Sequence, residues 1–151
     1  MAASASRASP DFKLWDQLGA GKFEVLNLPL CKVLLNNDTT WPWLVLVPQQ
    51  NDLVEMHDLS DADQLQLMRE MSACSRAVQS GWAPTKVNVG AIGCVCRQLH
   101  VHVLGRFEGD AVWPQPVWGA TKAVPYPTDG VQRDADIAKF REEIGKFIVP
   151  C

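Results

Sequence analysis

The 151-residue chain has few of the features that would assign it quickly to a class. No apolar run approaches the 18 residues that a membrane-spanning helix needs, so no membrane partner is expected. Charge of neither sign dominates: 14 Lys and Arg face 17 Asp and Glu, a net charge of -3. A bulk field that would draw free nucleic acid is therefore absent. The five cysteines are Cys31, Cys74, Cys94, Cys96 and Cys151, an odd number at irregular spacing with no secretory hydrophobic segment before them. They read as reduced thiols of a cytoplasmic protein. No C-x-x-C pair occurs, so the usual zinc-knuckle spacing is missing. Neither an internal repeat nor a low-complexity block is found. Histidine is scarce, with only three in the chain.

The length suits one ordinary domain, and 47% hydrophobic against 21% charged residues suits a soluble globular one. Met1 to Pro10 is small and polar and reads as a disordered tail, followed by a domain over 11–120. Residues 121–151 read as a loop and helix packing on that same domain. Apolar spacing predicts a short helix over Asp11–Leu18, ended by Gly19-Ala20-Gly21. Phe23–Leu28 and Leu30–Leu35 predict a hairpin broken at Pro29, and Asn36 to Thr40 is turn chemistry. Leu44–Val47, apolar on both faces, predicts a central strand. Ser60 is placed to cap a helix whose stripe is Leu67, Met71, Cys74 and Val78, ending near Gly81. Lys86–Ile92 and Gln98–Arg106 predict two more strands. Asp134–Phe147 predicts a closing helix with Ile137, Phe140, Ile144 and Phe147 in register. Together these make an α+β domain on an antiparallel five-stranded sheet, with a middle and a C-terminal helix.

Two of the three histidines stand one residue apart in Gln98-Leu99-His100-Val101-His102-Val103-Leu104. A strand alternates its faces, so Gln98, His100 and His102 are expected on one side and Leu99, Val101 and Val103 on the other. The two histidine Cα atoms would lie roughly 7 Å apart. That separation suits two imidazoles flanking a phosphate, and it also suits two ligands on one metal. A zinc site drawing on His100, His102 and Cys94 or Cys96 is thus an alternative reading.

The segment resembles the motif His-φ-His-φ-His-φ-φ of the histidine triad family, φ being apolar, with Gln98 at its first position. Leu44-Val45-Leu46-Val47-Pro48 is similar to that family's apolar strand with a terminal proline. Met56-His57-Asp58-Leu59 before a helix is similar to its dinucleotide-hydrolase branch, although His57 itself reads as a surface histidine. Asn88 falls where the family has a phosphate-contacting asparagine. The resemblance covers roughly residues 23 to 119.

It implies attack by His100 on an α-phosphorus, giving a phosphohistidine that water or another acceptor resolves. His102, Gln98 and Asn88 would bind the phosphate oxygens. Asn37 and Asp38 could hold a ribose, or be turn residues only. Trp113 and Trp118 could stack on a base, or pack in the core or an interface. The implied partner is a small-molecule nucleotide, the implied assembly a homodimer, and no cofactor is expected. Two positions depart from the pattern. Gln98 replaces a histidine, and Pro42-Trp43 stands where Gly-His usually precedes the apolar strand. Gln98 cannot carry a proton charge. A module that binds nucleotide with little turnover is therefore the alternative, and histidine restored at position 98 is expected to raise activity.

Overall fold

The structure is a computed structural model and describes residues 6–120 and 122–150. Met1–Ala5, half of the expected tail, and Cys151 lie outside the described residues. Arg7 and Ser9 donate backbone hydrogen bonds to the carbonyls of Pro29 and Gln49.

Five antiparallel strands form one sheet: β1 (Lys22–Asn27), β2 (Cys31–Asn36), β3 (Trp43–Pro48), β4 (Lys86–Gly90) and β5 (Val101–Arg106), in the order β1-β2-β3-β5-β4. With the helices this is the expected α+β architecture. The β1–β2 hairpin falls within a residue or two of its expected bounds and turns around Pro29. β3 lies in the middle of the sheet, and all six of its residues are buried. Its two faces feed two cores, because side chains alternate across the pleat. Leu44 and Leu46 join Val33, Val101 and Val103 on the helix side. Trp43, Val45 and Val47 join Leu34, Leu104 and Val117 on the other side.

The middle helix α2 (Asp61–Trp82) starts where its cap predicts, with Ser60 Oγ accepting from the Asp63 N–H at 3.2 Å. Leu67, Cys74 and Val78 are buried and Met71 packs beside them, so the stripe is core. The helix ends one residue past Gly81, and Ala83 turns the chain at φ 47°. The last helix, α3 (Val131–Gly145), is shifted three residues toward the N-terminus relative to its expected start. Phe140 and Ile144 are buried in the helix-side core, whereas Phe147 lies past the helix end and is exposed. Among the described residues no helix is long and apolar enough to cross a membrane.

One buried carboxylate ties the helix layer to the sheet. Glu70, fully buried on α2, accepts from the N–H groups of Leu30 and Cys31, both at 2.8 Å, and from the Gln66 amide at 2.8 Å. Every one of these donors sits where the β1–β2 turn enters β2 or one helical turn away, so the carboxylate is satisfied inside the core.

Three expectations are corrected. The first helix is only Asp16–Gly19, α1. Residues 11–15 instead form a turn and irregular chain, with the Lys13 N–H donating to Asn51 Oδ1 at 3.1 Å. The fourth strand stops at Gly90. The fifth begins at Val101, not at Gln98. The ladder between β3 and β5 ends at Leu46↔Val101 because Pro48 has no N–H to continue it, and the Leu99 N–H turns to the Leu53 carbonyl at 2.9 Å.

Candidate active site

His102 lies in β5 opposite Val45 on one side and Gly90 on the other, so it emerges on the face away from the long helices. Glycine at position 90 leaves room for a ring packed against the strand. A Cβ there would stand 3.3 Å from the Trp118 ring, which occupies that space. The His102 ring is held edge-on between Trp43 and Trp118, with centroids at 5.6 and 5.9 Å. Trp118 therefore packs against the histidine face, while Trp113 lies near the Arg106 guanidinium at 5.7 Å.

His100 precedes the strand, but its ring still meets that of His102, at 5.1 Å and 77°. It is 6% exposed and lines a cavity of about 370 Å³ together with Glu55, Gly93, Cys94, Arg97 and Gln98. Its Nδ1 lies 2.7 Å from the carbonyl oxygen of Gln98. A carbonyl only accepts, so Nδ1 carries a proton, and in the neutral ring Nε2 keeps its lone pair. That is the tautomer a nucleophilic imidazole needs.

His102 is arranged the other way round. Its Nδ1 receives the indole N–H of Trp43 at 2.9 Å. Burial pushes its pKa down to about 4, and the like charges of His100 and Lys22 act in the same direction. Lys22, half-buried at the start of β1, is itself lowered by burial.

Asn88, opposite Leu104 on β4, shares the histidine face. Its Oδ1 accepts from Arg106 Nη1 at 3.3 Å. Arg106 is 2% exposed and forms a two-pronged pair with Asp110, at 2.7 and 2.9 Å, and Trp41 adds an indole N–H to that carboxylate at 3.1 Å. The Arg106 guanidinium holds the Asp110 carboxyl well below the usual carboxylate range.

Gln98 lines the cavity beside His100 but commits its amide, and the Asn37 and Asp38 side chains are placed elsewhere. Both heteroatoms of the Gln98 amide are engaged with the N-terminal segment: Oε1 accepts from the Trp15 N–H and Nε2 donates to the Lys13 carbonyl, each at 2.9 Å. Asn37 accepts from the Tyr126 N–H at 2.8 Å. Asp38 accepts from the N–H groups of Thr40 and Val124 at 3.0 and 3.3 Å. Neither residue lines the cavity beside His100. These two side chains pin the segment around 124–126. His57 is exposed, as its sequence context suggested. Cys94 is exposed and Cys96 partly so, and among the described residues no group of three or more His, Cys, Asp or Glu is placed to hold a metal. Lys22, Glu55, Arg97 and Arg106 escaped the sequence reading, since charged residues at strand ends and in loops carry no periodic signal.

The HIT domain profile matches residues 20–109, more than half of the chain. The chain belongs to the histidine triad family. A histidine triad protein from Marinobacter aquaeolei VT8 is 37% identical, with a TM-score of 0.85 over 90% of this chain and 98% of that one. Another from Sinorhizobium meliloti 1021 is 39% identical, with a TM-score of 0.84 over 88% of this chain and 97% of that one. A hypothetical histidine triad nucleotide-binding protein from Sulfolobus tokodaii strain 7 shares the fold alone, at 16% identity and a TM-score of 0.60, over 83% of this chain and 85% of that one. A comparison with curated proteins found no match. Membership of the HIT family supports a nucleotide-binding hydrolase or transferase in general terms.

Proposed function

We propose that this HIT protein cleaves a nucleoside phosphate derivative at its α-phosphorus through a phosphohistidine, as a phosphohydrolase or nucleotidyl transferase. The observation that carries the reading is the bond from His100 Nδ1 to the Gln98 carbonyl, which leaves a lone pair on Nε2 beside a cavity. That lone pair attacks phosphorus as the bond to the leaving oxygen or nitrogen breaks. The departing pair stays on the leaving group, which takes a proton from water. Water or a second acceptor then displaces the histidine, which returns to the neutral form. His102 and Asn88 donate to the non-bridging oxygens, where positioned donors stabilise the charge that develops. Arg97 is, among the described residues, the one Lys or Arg side chain lining that cavity. Gln98 braces the N-terminal segment, and Asn37 and Asp38 brace the segment around 124–126.

Turnover is slow in this reading. Two positions where the family keeps histidine hold side chains that do not titrate, Gln98 and Trp43. The same observation favours, as a second reading, a nucleotide binder with little turnover. Free thiols at Cys31, Cys74, Cys94 and Cys96 suit a reducing cytoplasm. A homodimer would use the open edge of β4, where Val89 is exposed. Sedimentation at several concentrations tests that assembly.

Wild type and His100→Ala are to be compared on adenosine 5′-phosphate conjugates bearing amine, alkoxide and phosphate leaving groups. Loss of roughly a thousandfold or more supports His100 as the nucleophile. Equal turnover removes it. Binding of AMP by calorimetry without turnover selects the second reading.

A further inference from the structure

We propose that Trp43 is a positioning residue that holds His102 neutral, with its proton on Nε2. The argument is one of donors and acceptors. An indole N–H can only donate. It lies 2.9 Å from Nδ1 of His102, so that nitrogen must present its lone pair. A neutral imidazole whose Nδ1 accepts carries its hydrogen on Nε2. Protonating Nδ1 would set two N–H groups against each other at 2.9 Å and break the bond.

The surroundings act in the same sense. His102 faces Trp43 from β3, Trp118 from the segment after β5 and His100 from its own segment, and the charge of Lys22 on β1 is felt there without a contact. None of these offers a carboxylate to stabilise an imidazolium, and two carry or acquire positive charge. The neighbouring Asn88 is treated alike. Arg106, also a donor-only group, occupies its Oδ1 and leaves the Nδ2 hydrogens uncommitted among the described residues. Tryptophan thus makes Nε2 of His102 a hydrogen-bond donor, and arginine fixes the orientation of the Asn88 amide, whose Nδ2 is a donor in any case.

The consequence deepens the phosphate-site reading and rests on it. His100 and His102 hold opposite tautomers, a lone pair on Nε2 of one and a hydrogen on Nε2 of the other. His102 contributes a hydrogen bond to an oxyanion and does not hand over a proton. A histidine at position 43 could accept from His102 as easily as donate, so it would not impose this division.

The test is long-range nitrogen–proton NMR on the full-length, ¹⁵N-labelled protein without nucleotide. Only three histidines are present, and His57→Gln and His102→Gln variants assign their signals. Wild type is expected to show His102 protonated at Nε2 and bare at Nδ1 from neutral pH to about pH 5. Trp43→Phe, which keeps a ring and removes the donor, is expected to show both tautomers and a titration midpoint roughly one to two units higher. Its kcat/KM should fall about tenfold, the worth of one hydrogen bond, with the acid limb moving toward higher pH. A wild-type His102 protonated at Nδ1 overturns the proposal. So does a folded Trp43→Phe protein in which the tautomer and midpoint are unchanged. If Trp43→Phe does not fold, the wild-type spectrum and its titration decide alone. Absence of turnover on every nucleotide would end the proposed function and leave the tautomer measurement intact.

Discussion

His100 bonds to the backbone of Gln98, not to its side chain: Nδ1 meets the carbonyl oxygen at 2.7 Å while the amide reaches the other way, to Lys13 and Trp15. The group that sets the tautomer of the candidate nucleophile is thus one that every residue type supplies. The substitution of glutamine for histidine at this position changes what the side chain braces, and leaves the carbonyl in place.

Histidine at position 98 is therefore not expected to raise turnover, contrary to the expectation from the motif alone. Gln98→His loses one of the two bonds to the 13–15 backbone, because an imidazole cannot span them as a primary amide does. Steady-state kinetics on the AMP conjugates should give an unchanged or lower kcat. Hydrogen exchange at residues 11–16 should quicken. A tenfold gain in kcat would restore a direct catalytic role to this position.

Stability should fall as the solution is acidified from about pH 6.5 to about pH 4. The unfolded chain takes up a proton at His102 near 6.5, whereas the folded chain resists until about 4. Between those values the unfolded state holds more protons, so acid favours it. The loss is complete below the folded value and amounts to at most about 3 kcal/mol. Urea unfolding at pH 7.5, 5.5 and 4.5 measures the slope. His102→Gln should flatten it, and an equally steep slope in that variant would refute the assignment.

Asp110→Ala should destabilise the protein by about 3–5 kcal/mol, because it leaves the buried Arg106 guanidinium without its partner. Asp110 also accepts from Trp41 and from the Val112 N–H, so the segment that carries Trp118 loses its anchor. Thermal unfolding should report the first effect and a weaker AMP affinity the second, since Arg106 orients Asn88. A change under 1 kcal/mol would mean that the pair is not sealed from water.

Glu70→Ala should cost roughly 2–4 kcal/mol, while Glu70→Gln should cost less. Alanine orphans the buried N–H groups of Leu30 and Cys31, and glutamine keeps one acceptor oxygen for them. Chemical denaturation of both variants checks the order. Activity per folded molecule should change little, because this carboxylate lies in the helix-side layer and not on the histidine face.

Local pattern by itself determined the elements and their order. Alternation in β1 and β2, the apolar run of β3 and the 3–4 spacing of α2 are properties of neighbouring residues, and each produced a strand or helix within a few positions of its expected place. The histidine pair was legible for the same reason, two residues apart on a segment whose apolar partners must face a core. Only the tertiary structure decided which groups serve that pair. Gln98 left the common face because Pro48, fifty residues earlier in the chain, ends the ladder that would have aligned it. Asn37 and Asp38 went to backbone N–H groups at 124 and 126, which no spacing rule connects to them. Trp43, Lys22 and Arg106 acquired their parts by strand pairing across β3, β1 and β5. Hydrogen-bond partners so distant along the chain are chosen by packing, and packing is settled only when the two faces of the sheet close over their cores.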